Sequence, residues 1–116
     1  MHNFRELKVW QKGRILVKEI YLLTLNFPKA ETFGLTDQMR RASVSIPANI
    51  AEGSGRKSNK DFKRFLEYAY GSALELETHI YLSYDVNYID EPTLNNFLKI
   101  IHEIEKMITG LDNSIN

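Results

Sequence analysis

The chain has 116 residues, 43% apolar and 26% charged, which suits one domain around one core and excludes a disordered chain. It contains no cysteine, so disulfides, thiolate metal sites and cysteine nucleophiles are excluded together, and a reducing compartment fits. Net charge is zero, yet residues 1–66 carry thirteen Lys and Arg against six Asp and Glu, while residues 67–116 carry two against nine.

The first helix is predicted over about residues 6–26. Asn3 followed by Glu6 has the spacing of a capping box. Leu7, Trp10, Val17 and Tyr21 follow one helical stripe, and Val9, Leu16, Ile20, Leu23 and Phe27 a second beside it. Together they form an apolar surface wider than one core face needs, which favours contact with another subunit. Phe27-Pro28 ends the helix, because a residue before proline avoids the α region.

The second helix is predicted over 36–53, with Thr36 as N-cap and Asp37 favouring the dipole. Leu35, Met39, Ala42, Ile46 and Ile50 recur at threes and fours. The positions between them are small, so a neighbouring backbone approaches closely. Pro47 removes one hydrogen bond and is expected to kink the helix near Ser43.

Ser58 and Asp61 signal the start of a third helix over 59–86, with a core stripe of Phe62, Phe65, Leu66, Ala69, Ala73, Leu76 and Ile80. Asp90 and Pro92 open a fourth over 91–112, whose Leu94, Phe97, Ile101, Ile104, Ile108 and Leu111 form a bundle seam. No segment alternates as a strand would. The expected fold is all-α: a single up-down-up-down four-helix bundle with a kinked second helix.

Catalysis has no candidate. His2, His79 and His102 are far apart and form no H-x-x-x-H or E-x-x-H pair, and Glu67, Glu75 and Glu77 have no partner motif that would make a metal cage. No nucleophile, base and orienter stand together. The reading is therefore no enzyme, no cofactor and no metal. Gly53-Ser54-Gly55-Arg56-Lys57-Ser58 superficially resembles a phosphate loop, but it follows a helix and lacks Walker spacing. The free amides of the helix opened by Ser58 remain suited to a backbone phosphate. No apolar run behind a basic patch marks a signal peptide, and no stretch approaches a membrane span, so a cytoplasmic protein is expected.

The basic residues are more informative. Arg40, Arg41, Arg56, Lys57, Lys60, Lys63 and Arg64 fall within one helix end, one loop and one helix start, opposed in that span by Glu52 and Asp61. They are the candidate nucleic-acid-binding residues, reading the RNA or DNA backbone more than its sequence, because Phe62 and Phe65 belong to the core stripe. The alternatives are a solvated charged loop, or an adaptor surface docking an acidic or polymerase-type protein. A polar stripe of Arg41, Ser45, Asn49, Glu52 and Arg56 also runs along the second helix. It is read as a buried network that fixes helix register, in preference to a binding face.

Phe4-x-x-Leu7-x-Val9-Trp10, Phe27-Pro28-x-x-Glu31-x-x-Gly34-Leu35 and the run from Gln38 through Ser45-Ile46-Pro47-x-Asn49-Ile50-Ala51-Glu52-Gly53 resemble the bacterial four-helix-bundle family of 23S rRNA intervening-sequence proteins. Arg64-Phe65-Leu66-x-x-Ala69-x-Gly71-Ser72-x-x-Glu75-x-Glu77 continues the likeness. Some members are encoded within insertions in large-subunit rRNA genes, a location that does not imply ribosome membership. The family is similar to the accessory protein of diversity-generating retroelements, a basic homopentameric barrel that works with a reverse transcriptase and nucleic acid. The resemblance implies a left-turning four-helix protomer in a homo-oligomer, a ring of five, and leaves the biochemical function open. Ser83 and Tyr84 depart from the small apolar residues the family tends to carry late in the third helix.

Overall fold

Asn3 caps a helix, but a shorter one than its spacing predicts. In the computed structural model, which describes residues 2–116, the Asn3 carboxamide accepts the Arg5 amide at 3.2 Å and opens a single 3₁₀ turn, Phe4–Glu6. Leu7 is extended and resets the chain, so α1 runs from Lys8 to Thr24. The Phe4 ring packs edge-on against Trp10, 5.1 Å between centroids.

The start of α2, Leu35–Ser54, also differs from expectation. Thr36 is buried and does not cap. The Leu35 amide donates instead to Glu31 Oε1 at 3.0 Å, a carboxylate reaching forward from the 3₁₀ turn Lys29–Glu31. Glu31 Oε2 accepts the Tyr88 hydroxyl at 2.8 Å, tying the α1–α2 loop to the loop before α4. These bonds, the Leu35 amide first, hold the Glu31 carboxyl below its ordinary range and push the Tyr88 phenol up.

α2 runs continuously through Pro47. Its ring faces Gly13 of α1, where an added Cβ would lie 3.5 Å from Pro47 Cβ and Cδ, so the two helices meet closely at this point.

α3, Asn59–Asp85, starts as its sequence predicts: Ser58 Oγ accepts the Asp61 amide at 3.1 Å. It ends in a Schellman turn. Asn87 takes the left-handed conformation, φ 66°, the Tyr88 amide donates to Ser83 O and the Asn87 amide to Tyr84 O. α4, Glu91–Ser114, is capped by Asp90, which accepts the Thr93 amide at 2.9 Å.

The four helices pack in sequence order as an up-down-up-down bundle, 43 × 24 × 19 Å. α2 and α3 share the largest contact, α1 and α4 a small one, and α1 makes none with α3. The core is largely aliphatic, with Leu16, Ile46, Ile50, Leu76, Ile80 and Ile104 fully enclosed. Ser83, a departure from the family pattern, is also enclosed, and its hydroxyl donates to His79 O at 2.8 Å; Tyr84 faces outward. No strand occurs among the described residues, and no helix among them is long and apolar enough to cross a membrane.

One end of the bundle gathers the N-terminal segment, the α2–α3 turn and the end of α4. The His2 amide donates to Ser54 O, and the His2 ring lies 5.0 Å from that of Phe62. The α1–α2 and α3–α4 loops form the opposite end.

Candidate nucleic-acid interface

The seven cationic residues singled out in the sequence do not form one cluster. Arg40 and Arg41 lie in the first turns of α2. At 1.5 Å per residue they stand about 24 Å along the axis from Arg56, at the opposite end of the bundle. Arg40 is engaged there: its Nε donates to Thr24 Oγ1 at 2.9 Å and its guanidinium covers the Tyr21 ring at 4.5 Å. Arg41 is exposed, with no side-chain hydrogen bond or ion pair among the described residues.

Lys63 is also removed from the candidate surface. Its ammonium donates to the carbonyl oxygens of Asp112 at 2.8 Å and Ile115 at 3.0 Å and stands 3.7 Å from the Asp112 carboxylate. It serves as a cationic cap on the C-terminus of α4, where orphan carbonyls and the helix dipole favour positive charge.

Four residues remain together around the α2–α3 turn. Lys57 and Lys60 are exposed, and their ammonium groups make no hydrogen bond or ion pair among the described residues. Arg56 pairs with Glu52 at 3.0 Å and Arg64 with Asp61 at 3.4 Å, in each case along one stretch of chain and with all four side chains more than 40% exposed. Such pairs are weak and exchange readily for another anion. Both guanidinium groups also lie over the buried Phe65 ring, 4.6 and 5.4 Å from its centroid. The ring holds them in place without competing for their N–H donors. Where the basic and acidic halves do meet, the links are Lys63–Asp112 and Lys12–Glu103, the latter at 2.6 Å. Among the described residues, no side chain from 67–116 pairs with Arg56, Lys57, Lys60 or Arg64. The first-turn amides of α3 open beside these four and add partial positive charge.

The polar stripe divides as well. Asn49 Nδ2 donates to Ser45 O at 2.8 Å and to Ser45 Oγ at 2.9 Å, and the Ser72 hydroxyl on α3 donates to Ser45 Oγ at 2.8 Å. This half-buried network crosses from α2 to α3. Glu52, read from the sequence as part of it, is instead exposed and occupied by Arg56.

A grouping that the sequence reading missed lies on the α3–α4 face. Glu77 of α3 meets His102 and Glu105 of α4, one ligand-type atom from each lying within 4.8 Å of the others. His102 Nε2 is 3.2 Å from Glu77 Oε2. Burial, and then the facing Glu77 carboxyl, push the Glu105 carboxyl up to about 7. The hydrogen bond from Glu105, with a smaller contribution from His102, holds Glu77 below the ordinary range. Glu105 Oε2 is buried without a hydrogen-bond partner. The signal available in the sequence was His102-x-x-Glu105, one helical turn on α4. Its third member becomes visible only once α3 is set antiparallel in register.

The arrangement has solved relatives. A crystal structure of a protein of unknown function from the S23 ribosomal protein family of Bacteroides thetaiotaomicron superposes with a TM-score of 0.81 at 26% identity, covering 90% of this chain and 97% of that one. No curated protein matches. The family model for the 23S rRNA-intervening sequence protein matches residues 5–110. That span takes in α1, α2, α3 and most of α4, with Arg56, Lys57 and Lys60 inside it, so this chain belongs to the 23S rRNA-intervening sequence protein family.

Proposed function

We propose that the protein is a non-enzymatic, oligomeric four-helix bundle of the cytoplasm that binds the sugar-phosphate backbone of RNA or DNA through Arg56, Lys57, Lys60 and Arg64. The observation that carries this reading is the pair of unpartnered ammonium groups on Lys57 and Lys60 beside the N-terminus of α3. They are flanked by two arginines whose own ion pairs are exposed and exchangeable. Binding at such a surface is dominated by counterion release and is largely indifferent to sequence. Tyr68, exposed one turn beyond Arg64 and packed edge-on against Phe65 at 5.5 Å, is placed to stack on a base.

The outer faces support the assembly part of this reading. Ile15, Leu22 and Leu25 of α1 are 61, 49 and 70% exposed, and Leu74, Tyr81 and Leu82 of α3 are exposed by 43 to 45%. Helices α1 and α3 occupy diagonal corners, so these apolar faces point away from each other. A head-to-tail contact joining α1 of one copy to α3 of the next would repeat into a ring, and the family resemblance makes that ring one of five. Each copy would then add its own basic end to one rim.

A second reading, a protein adaptor, is favoured by Phe33, which is 93% exposed at the end away from the lysines. The two readings separate in a salt titration. With four phosphate contacts per strand, affinity for a fluorescent single-stranded oligonucleotide is expected to fall with a log–log slope of about −3. Binding unchanged between about 50 and 200 mM salt would overturn the nucleic-acid reading.

A further inference from the structure

We propose that Glu77, His102 and Glu105 form a site for a divalent transition-metal ion of the zinc type, bound between α3 and α4. One imidazole with two carboxylates suits borderline ions of this kind, for which nitrogen and oxygen donors compete well with water. The spacing suits it too. Zinc bonds of 2.0–2.2 Å place neighbouring ligand atoms about 3.3 Å apart, and His102 Nε2 and Glu77 Oε2 already stand at 3.2 Å. All three donor atoms fall within 4.8 Å of one another, so small rotations about the side-chain torsions bring them onto one ion.

The buried Glu105 Oε2 is the second, independent observation. An ionised carboxylate oxygen enclosed without a donor is costly, and native structures relieve such atoms with a proton, a water or a cation. The Glu105 carboxyl also faces the Glu77 carboxyl, a pairing that is unfavourable while both are charged. The nearest cationic side chain along the helix, Lys106, forms no ion pair with either group among the described residues. A divalent ion would satisfy Oε2 and remove the repulsion together. The site also has an entry path: His102 is half-exposed, and the groove beside it is lined by Tyr70, Lys106 and Thr109. Three protein ligands on one side of the ion would leave the remaining positions to solvent in that groove.

Protons and metal compete for the same oxygens. Ligating carboxylates must be deprotonated, so metal affinity is expected to fall in acid. The ion would clamp α3 to α4 at Glu77, seventeen residues beyond Lys60 on α3 and so about 25 Å along the helix from the lysines of the proposed nucleic-acid surface.

The test is calorimetry of chelator-stripped full-length protein with Zn²⁺ just above neutral pH, with Co²⁺ absorption as a coordination readout. One ion per chain is expected, with an intense visible Co²⁺ band of a four- or five-coordinate centre. His102→Ala and Glu105→Gln should each weaken binding at least about tenfold, while His2→Ala and His79→Ala leave it unchanged. Glu105→Gln preserves volume and still donates to Glu77, and His102 is half-exposed, so both variants are expected to keep their helical circular dichroism and thermal transition. Absent binding, or Zn²⁺ affinity indifferent to His102→Ala and Glu105→Gln, would overturn the proposal and leave a proton-sharing trio only.

Discussion

Gly53→Ala is expected to destabilise the protein by about 1–2 kcal/mol, and Gly53→Val by about 3 kcal/mol, although both residues lack glycine's entropic cost in a helix. Gly53 lies in the last turn of α2, where the chain crosses α3. A Cβ built there would stand 2.6 Å from Phe65 Cβ and 3.1 Å from Phe62 Cδ1. Phe65 Cβ is fixed to the α3 backbone and cannot swing aside, so the helices must separate. Alanine recovers about 1 kcal/mol of helix propensity, against an overpacking cost at the upper end, about 2–3 kcal/mol, of the usual range because the clash is with a fixed Cβ at 2.6 Å. Valine adds two methyl groups to the same gap and loses side-chain freedom. Urea unfolding followed by circular dichroism measures both. A stabilised Gly53→Ala would mean that α2 and α3 part there without penalty. The contact also bears on function, because it holds the turn that carries Arg56, Lys57 and Lys60.

The double reversal Lys57→Glu with Lys60→Glu is expected to lower affinity for a single-stranded oligonucleotide at least about 100-fold at low salt, and to leave the thermal transition nearly unchanged. Each substitution removes a phosphate contact and installs a repulsion, and in an oligomer the loss repeats in every copy. Both side chains are exposed and make no hydrogen bond or ion pair among the described residues, and surface changes of that kind stay within about 0.5 kcal/mol. Lys63→Met is the matched control. It removes the cationic cap from the end of α4 and is expected to cost about 1–2 kcal/mol of stability. Solvent screening at this one-third-exposed ammonium keeps the cost below that of a buried charge. Its oligonucleotide affinity should stay within about threefold of wild type. Equal losses of binding for Lys63→Met and for the double reversal would show that proximity in sequence, and not exposure, defines the surface.

The contrast between Lys60 and Lys63 shows where the sequence stops being legible. Helical period and cap chemistry located α3 and α4 closely, because Ser58 and Asp90 act on amides three residues away and such local bonds are written in local sequence. The start of α2 was located to within one residue, but its cap was misassigned, because the capping carboxylate, Glu31, reaches forward from a separate 3₁₀ turn while Thr36 is buried. α1 began late because Leu7 takes an extended conformation that no cap motif announces. The grouping of the site residues was only partly legible, for the opposite reason. Lys63 finds its partners at Asp112 and Ile115, and Glu77 meets His102 and Glu105, through pairing of helices whose register a single sequence does not reveal. Arg40 and Arg41 were grouped with Arg56 by nearness along the chain, but a helix converts sixteen residues into most of the length of the bundle. Ser45 and Asn49 did form a polar network, and its partner, Ser72, comes from α3.

The most direct measurement is light scattering of nuclease-treated protein, alone and with a single-stranded oligonucleotide. An oligomer of about five times the 13.5 kDa chain mass, gaining one strand at low salt and releasing it as salt rises, is the predicted result. A 13.5 kDa species that leaves the oligonucleotide free at low salt would contradict it.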